Sequence, residues 1–155
     1  MDKYQLLSHF FGYSQFRPGQ EVLIDGVLSG RDVFGIMPTG GGKSICYQIP
    51  AILLPGITLV VSPLISLMKD QVGALNQNGI RAAYLNSSLT QRQYGLALAN
   101  ARIGVYKIIY VAPERLESDE LVTLAHMGKI TVVNLSEVRQ LLADICTTVR
   151  EIAER

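Results

Sequence analysis

Thr39-Gly40-Gly41-Gly42-Lys43-Ser44 sets three glycines, a lysine and a hydroxyl in a row. Residues of these types at this spacing can hold a polyphosphate. Glycines let the backbone turn so tightly that successive N–H groups converge on phosphate oxygens. Lys43 is placed to reach the β- and γ-phosphates, and the Ser44 hydroxyl to complete a magnesium site. A helix opening at Lys43 and Ser44 would add its partial positive N-terminal charge. The general pattern expects a glycine where this chain has Met37, the single departure. A flexible turn that happens to precede a lysine would not require a strand before it and a helix after it. Here the apolar run Val33–Met37 and the helix-compatible segment Ser44–Ile49 supply both.

Such a loop needs a scaffold, and the rest of the chain alternates in a way that would build one. Short β-rich runs are expected as strands at Val33–Met37, Thr58–Ser62, Ala82–Leu85, Lys107–Val111 and Ile130–Val133. Between them, helices are expected at Lys43–Leu54, Leu64–Asn76, Gln91–Arg102 and Glu120–Met127. Several runs are apolar on consecutive residues, as strands covered on both faces by helices must be. The reading is an α/β domain with a mainly parallel sheet and right-handed crossovers. Ligands of such sheets sit beyond the carboxyl ends of the strands. The glycine loop, Ser62-Pro63, Asn86-Ser87-Ser88 and Ala112-Pro113-Glu114-Arg115 should therefore share one rim.

From Asn134 to Arg155 a last helix is expected, divergent from what precedes it, which divides the chain into 1–133 and 134–155. Asn134 and Glu137 resemble a capping box, and Leu135, Val138, Leu141, Leu142, Ile145, Val149 and Ile152 recur at helical spacing. The simplest role for this helix is to cover one sheet face; the other reading is a surface for a partner.

A chain of 155 residues holds one domain with a sizeable core. With 48% hydrophobic and 17% charged residues, a disordered class is excluded. The net charge of +1 offers no global case for nucleic acid, so any such contact must be local. Cys46 and Cys146 lack metal-ligand spacing and read as buried thiols of a reducing compartment. No apolar run reaches the ~18 residues of a membrane span, and no signal-peptide core follows Met1. A cytoplasmic (nucleoid) or nuclear location is expected.

Taken together these residues resemble the start of a RecQ-family DNA helicase. Phe11-Gly12-Tyr13-Ser14-Gln15-Phe16-Arg17-Pro18-Gly19-Gln20 resembles the family's adenine-recognition motif. Met37 to Ser44 resembles its phosphate loop, in which methionine at the first place is ordinary. The segments Val60–Gln71, Leu85–Ser87 and Tyr110–Leu116 resemble three further helicase motifs, in order. The resemblance implies a RecA-like phosphate-loop domain, here an incomplete first helicase domain. It also implies ATP with Mg2+ as cofactors and single-stranded DNA as partner. Gln20 is then expected to pair with the N7 and N6 edge of adenine, since a carboxamide donates and accepts at once. Tyr13 and Arg17 are expected to stack on the base. Ser62, Ser66, Lys69, Asn86, Ser87 and Arg115 become the expected contacts to a phosphodiester chain.

The resemblance breaks after Val133. A helicase of this kind should continue Asp-Glu-Ala-His, the aspartate serving magnesium and the glutamate activating water. This chain reads Asn134-Leu135-Ser136-Glu137. Asn134 carries no charge, Leu135 cannot take a proton, and Glu137 falls two places late. The aromatic-rich coupling loop, the second RecA-like domain with its arginine finger, and the zinc-binding and winged-helix modules are also not expected within these residues. A missing second motor domain or a protein partner would then have to complete the machine. The expectation is a helicase motor fragment that binds ATP/Mg2+ and single-stranded DNA and hydrolyses poorly alone. The alternative is a non-catalytic nucleotide- or DNA-binding module acting through a partner. A small phosphate-loop kinase is disfavoured, because nothing supplies an acceptor site or lid.

Overall fold

A computed structural model describes residues 1–38, 40–128 and 130–135. Three helices come first: α1 (Lys3–Phe11), α2 (Gln20–Leu28) and α3 (Lys43–Leu53). Strand and helix then alternate through β1 (Ile57–Val61), α4 (Ile65–Gln77), β2 (Ala82–Leu85), α5 (Gln91–Arg102) and β3 (Ile108–Val111). A 3-10 turn at Pro113–Arg115, α6 (Asp119–His126) and β4 (Ile130–Asn134) complete the order. The strands form one four-stranded sheet, β2-β3-β1-β4, in which every pairing is parallel.

The path through the sheet decides which face each helix covers. From β1 the chain crosses outward to β2, then reverses to β3 and passes over β1 to reach β4. Right-handed crossovers must put α4 on one face and α5 and α6 on the other. Side chains of successive strand residues point to opposite faces, and the core divides accordingly. Val60, Ile108 and Tyr110 pack with Tyr47 of α3 and with Met68, Val72 and Leu75 of α4. Leu59, Val61, Ile109 and Val111 pack with Leu98 and Ala101 of α5 and with Leu121 and Leu124 of α6. A third cluster joins Leu6 and Leu7 of α1 and Ile24 of α2 to Ile45 and Ile49 of α3, bracing the helix that follows the glycine loop.

Local chemistry explains several boundaries. Asp2 caps α1 by accepting from the Tyr4 and Gln5 N–H groups at 2.9 and 2.8 Å, and Gln5 accepts from the Asp2 N–H at 2.9 Å. Thr90 and Gln93 form the same reciprocal box at the start of α5. The helices α1 and α2 are additions to the elements expected from sequence, although Asp2 with Gln5 three residues later is a legible start signal.

One expected element is absent. Val33–Met37 forms no strand; residues 31–38 belong to no helix or strand, and Phe34 and Ile36 are each 65% exposed. The reason lies in what the segment packs on. A Cβ on Gly26 of α2 would collide with the Val33 side chain, and one on Gly35 would lie 2.7 Å from Leu23 Cδ1. Two glycines thus let the segment lie close against α2, while the outer edge of β4 is left without a paired strand among the described residues. Of the expected C-terminal helix, Asn134 instead closes β4, and the Leu135 N–H extends that ladder to the Val61 carbonyl at 2.8 Å. The remainder, 136–155, lies outside the described residues, as does Cys146. Cys46 is a free thiol, half-buried rather than buried as expected, and burial pushes its pKa up.

Candidate nucleotide and nucleic-acid site

The glycine loop closes on itself before α3 begins. The Gly41 N–H donates to the Pro38 carbonyl at 3.0 Å, and Gly40 and Gly42 both take left-handed conformations, φ 76° and 79°. Gly42 is required on two counts: its φ disfavours a side chain, and a Cβ there would collide with Gln20 Nε2. Gly42 is also the N-cap of α3, and no side chain caps that end. The first-turn N–H groups are therefore free to meet an anion. Lys43 is exposed and Ser44 half-buried at the same end.

Beside the loop opens a cavity of about 1530 Å³, lined among others by Tyr13, Arg17, Lys43, Ser44, Ser62 and Thr131. Its size exceeds the usual ~300–1,000 Å³ of a ligand pocket. The excess follows from the fold, because the segment 33–37 and β4 form its facing walls without pairing. Gly40 and Gly42 also line it, Tyr13 is half exposed, and Thr39 lies outside the described residues.

Gln20 sits behind this wall, 3% exposed. Its carboxamide oxygen accepts from the Arg17 N–H at 2.8 Å, and its Nε2 donates to the Gly42 carbonyl at 2.9 Å. Arg17 itself donates from Nη1 to the Gly40 carbonyl at 2.6 Å. Two of the three residues named for the base, Arg17 and Gln20, thus already hold the glycine loop. A carboxamide so engaged keeps one further N–H and one lone pair.

The residues expected along DNA divide into two kinds. The register sets Val61, Val111, Leu85 and Asn134 at one level, and the next residues, Ser62, Ala112, Asn86 and Leu135, form the carboxyl rim. The loops after β1, β2 and β3 therefore share a rim as expected, whereas the glycine loop follows no strand and reaches the rim across the cavity beside Ser62. Ser66, Lys69 and Ser87 are exposed. Ser62 and Asn86 are buried, at 6% and 1% exposure, and turn their polar atoms inward. Ser62 Oγ accepts from the Leu64 N–H at 3.2 Å, while the Asn86 side-chain oxygen accepts from the Ser88 N–H at 2.9 Å. They shape the loops that carry their exposed neighbours. Arg115 is half-buried, its guanidinium 5.0 Å from the Tyr94 ring centre.

Among the described residues no carboxylate follows β4. Leu135 packs instead against the core cluster to which Tyr47, Val60 and Tyr110 belong. Among the described residues there is no group of three or more His, Cys, Asp or Glu able to hold a metal ion. Ser44, the residue expected to meet magnesium, stands half-buried at the open end of α3. One further feature is not legible in the sequence: Tyr47, Gln48 and Tyr110 join in a buried polar network. No local signal announces it, since its members lie 62 and 63 residues apart.

A parallel sheet covered on both faces, with a glycine loop opening onto a bare helix N-terminus, defines an incomplete RecA-like phosphate-loop domain. A sequence model of the DEAD/DEAH box helicase family matches residues 17–154. The chain is 49% identical over 133 residues to the ATP-dependent DNA helicase RecQ of Bacillus subtilis, which covers 85% of this chain and 22% of that protein. It is 46% identical over 132 residues to RecQ of Haemophilus influenzae, covering 85% of this chain and 21% of that protein. The probable ATP-dependent DNA helicase RecS of Bacillus subtilis is 48% identical over 115 residues, 74% of this chain and 23% of its own length. The chain therefore spans about a fifth of the length of the curated relatives it matches. It belongs to the DEAD/DEAH box helicase family, and within it corresponds to the N-terminal motor region of the RecQ type. No helix among the described residues is long and apolar enough to cross a membrane.

Proposed function

We infer that this chain binds ATP with magnesium at the glycine loop and single-stranded DNA along the rim, and that it turns ATP over poorly. The observation carrying the reading is the bare N-terminus of α3 behind left-handed Gly42, open to a cavity that Ser62 also lines. That end fits a polyphosphate: converging N–H groups, the exposed Lys43 ammonium and the Ser44 hydroxyl are all present. When bound, magnesium would neutralise charge on the phosphates. Ser44 would hold it, and Lys43 would meet the outer phosphates. Tyr13 and Arg17 would flank the base, with Gln20 offering its remaining donor and acceptor to an adenine edge. Ser66, Lys69, Ser87 and Arg115 would contact the phosphodiester chain, with Ser62 and Asn86 holding the loops in shape.

Calorimetry tests the nucleotide half of the reading. Lys43→Ala should weaken ATP far more than adenosine, because the lysine meets only phosphate; equal ATP affinity in both proteins would overturn the assignment. ATP should outcompete GTP, and Gln20→Ala should erase that preference. DNA binding should tolerate sequence and fall steeply with salt, since phosphate contacts release counterions. Tight binding indifferent to salt would remove the rim model.

Poor turnover rests on Leu135, whose apolar side chain packs on the core where a carboxylate would have to activate water. General-base catalysis is typically worth about 10²–10⁴ in rate. Robust DNA-dependent phosphate release from the purified chain, abolished by Lys43→Ala, would refute this part. The same residue favours the second reading, a binding module without useful hydrolysis.

A further inference from the structure

We propose that Tyr47, Gln48 and Tyr110 form a buried relay that couples the nucleotide end of α3 to the DNA-facing loops. The proposal rests on the reading that both ligands bind.

The three side chains are 8%, 4% and 2% exposed. Tyr47 and Tyr110 place their hydroxyls 3.0 Å apart, and Gln48 Nε2 donates to the Tyr110 hydroxyl at 3.3 Å. Gln48 Nε2 also faces Gln71 Oε1 of α4 at 3.5 Å, the outer limit of a hydrogen bond. The tyrosine rings meet edge to face, 6.4 Å between centres at 73°. A core asked only to pack would fill this space with Phe or Leu and avoid burying polar atoms.

What the polar atoms add is connection. Tyr47 stands three residues after Ser44, one turn along the same side of α3. Tyr110 lies two residues before Ala112, where the loop carrying Arg115 begins. Gln71 stands two residues after Lys69. The network thus joins the phosphate-binding helix to two of the segments that would contact DNA.

It can also transmit a displacement. Burial pushes both phenols up, so both remain protonated donors. Tyr110 accepts from Gln48, and one of the two tyrosine hydroxyls donates to the other, so α3 and β3 are tied through buried hydrogen bonds. A small shift of α3 under phosphate would lengthen or shorten these bonds and so bias β3 and α4. Coupling of this kind is a free energy shared between two sites, and it acts equally in both directions.

The test measures coupling rather than affinity. Binding of a labelled oligothymidine strand is titrated with and without a β,γ-imido ATP analogue and magnesium, then the analogue with and without the strand. The wild-type chain should show a change of at least about fivefold in both directions. Tyr47→Phe and Tyr110→Phe remove only hydroxyls, and should bring the factor below about twofold while each ligand alone binds as before. A purely structural role would move thermal stability and leave this ratio intact. If the phenylalanine variants do not fold, Gln71→Met at its half-buried helical position should still halve the factor roughly. Wild-type coupling that persists through these variants, or wild-type binding of both ligands without coupling, overturns the relay and leaves the proposed function standing. Failure of the wild-type chain to bind either ligand overturns both.

Discussion

Two apolar runs of five residues, Val33–Met37 and Ile57–Val61, look alike in sequence and end up in opposite situations. The second is the inner strand β1, paired on both sides, with Val60 fully buried and Leu59 and Val61 each 5% exposed. The first leans on α2 and leaves Phe34 and Ile36 largely exposed. Hydrophobicity brings a segment to the interior, but a strand also needs a neighbour whose N–H and C=O groups are in register with its own. The sheet centre is held from both edges and both faces. The wall of the cavity beside the glycine loop is held from one side only.

Amide hydrogen exchange should show the largest contrast. Leu59, Val60, Ile109 and Tyr110 should exchange only through global opening, with protection of roughly 10³ or more, and residues 33–37 should exchange almost freely. Comparable protection of both runs would mean that the first is paired to the β4 edge in solution, which would break the comparison.

Substitution sharpens it energetically. Ile108→Ala at a fully buried position of β3 should cost about 2–5 kcal/mol in denaturant unfolding. Phe34→Ala should stay within about 0.5 kcal/mol. Equal costs would show that the exposed run is part of the core.

Gly42 stands at the junction of the two regions. Gly42→Ala should lose about 1–2 kcal/mol of stability from its left-handed backbone alone, and more as Gln20 Nε2 is displaced. Its ATP affinity should fall with it. A variant as stable as wild type would contradict the loop geometry.

The smallest effect should come from the α1–α2 brace. Lys3 Nζ lies 2.6 Å from Asp25 Oδ1 and 2.7 Å from Glu21 Oε1 on the exposed surface. Hydrogen bonds to Asp25 and Glu21 raise the Lys3 pKa above its ordinary 10.5. Hydrogen bonds from Lys3 and Tyr4 hold Glu21 below 4.5. The Lys3 contribution is therefore present below 10.5 and lost as pH rises through the raised value. That of Glu21 is present above 4.5 and lost as pH falls through the lowered one. Lys3→Met should lower the Tm slightly between these limits, and less in salt. A Tm difference that persists unchanged at pH 2 would mean that the brace acts by packing.

Much of the molecule is legible in its residues alone. Ala82–Leu85 and Gln91–Arg102 have the same bounds in the sequence pattern and in the fold, because strand composition and the Thr90–Gln93 box are local signals. The glycine loop, the rim of three strand ends and the family can also be read, because each is a matter of residue type and order. The apolar run at 33–37 reads as a strand and is not one, because its partner is chosen in space, by the close approach of Gly26 and Gly35 to side chains elsewhere. Gln20 is similar. Its motif marks it for an adenine edge, and only the fold shows its carboxamide already bridging Arg17 and Gly42.

By itself the sequence determined the chemistry available to this protein. It set the loop that can hold phosphate, the lysine and hydroxyl beside it, the parallel α/β architecture, and the absence of an acid at Asn134 and Leu135. Tertiary structure alone decided which groups are free to use. Ser62, Asn86 and Gln20 turn inward, Lys43 and Lys69 face outward, and two tyrosines 63 residues apart share a hydrogen bond. The physical reason is that residue type and local pattern travel with the chain. Burial and hydrogen-bond partnership belong to pairs of atoms that meet only when the sheet closes.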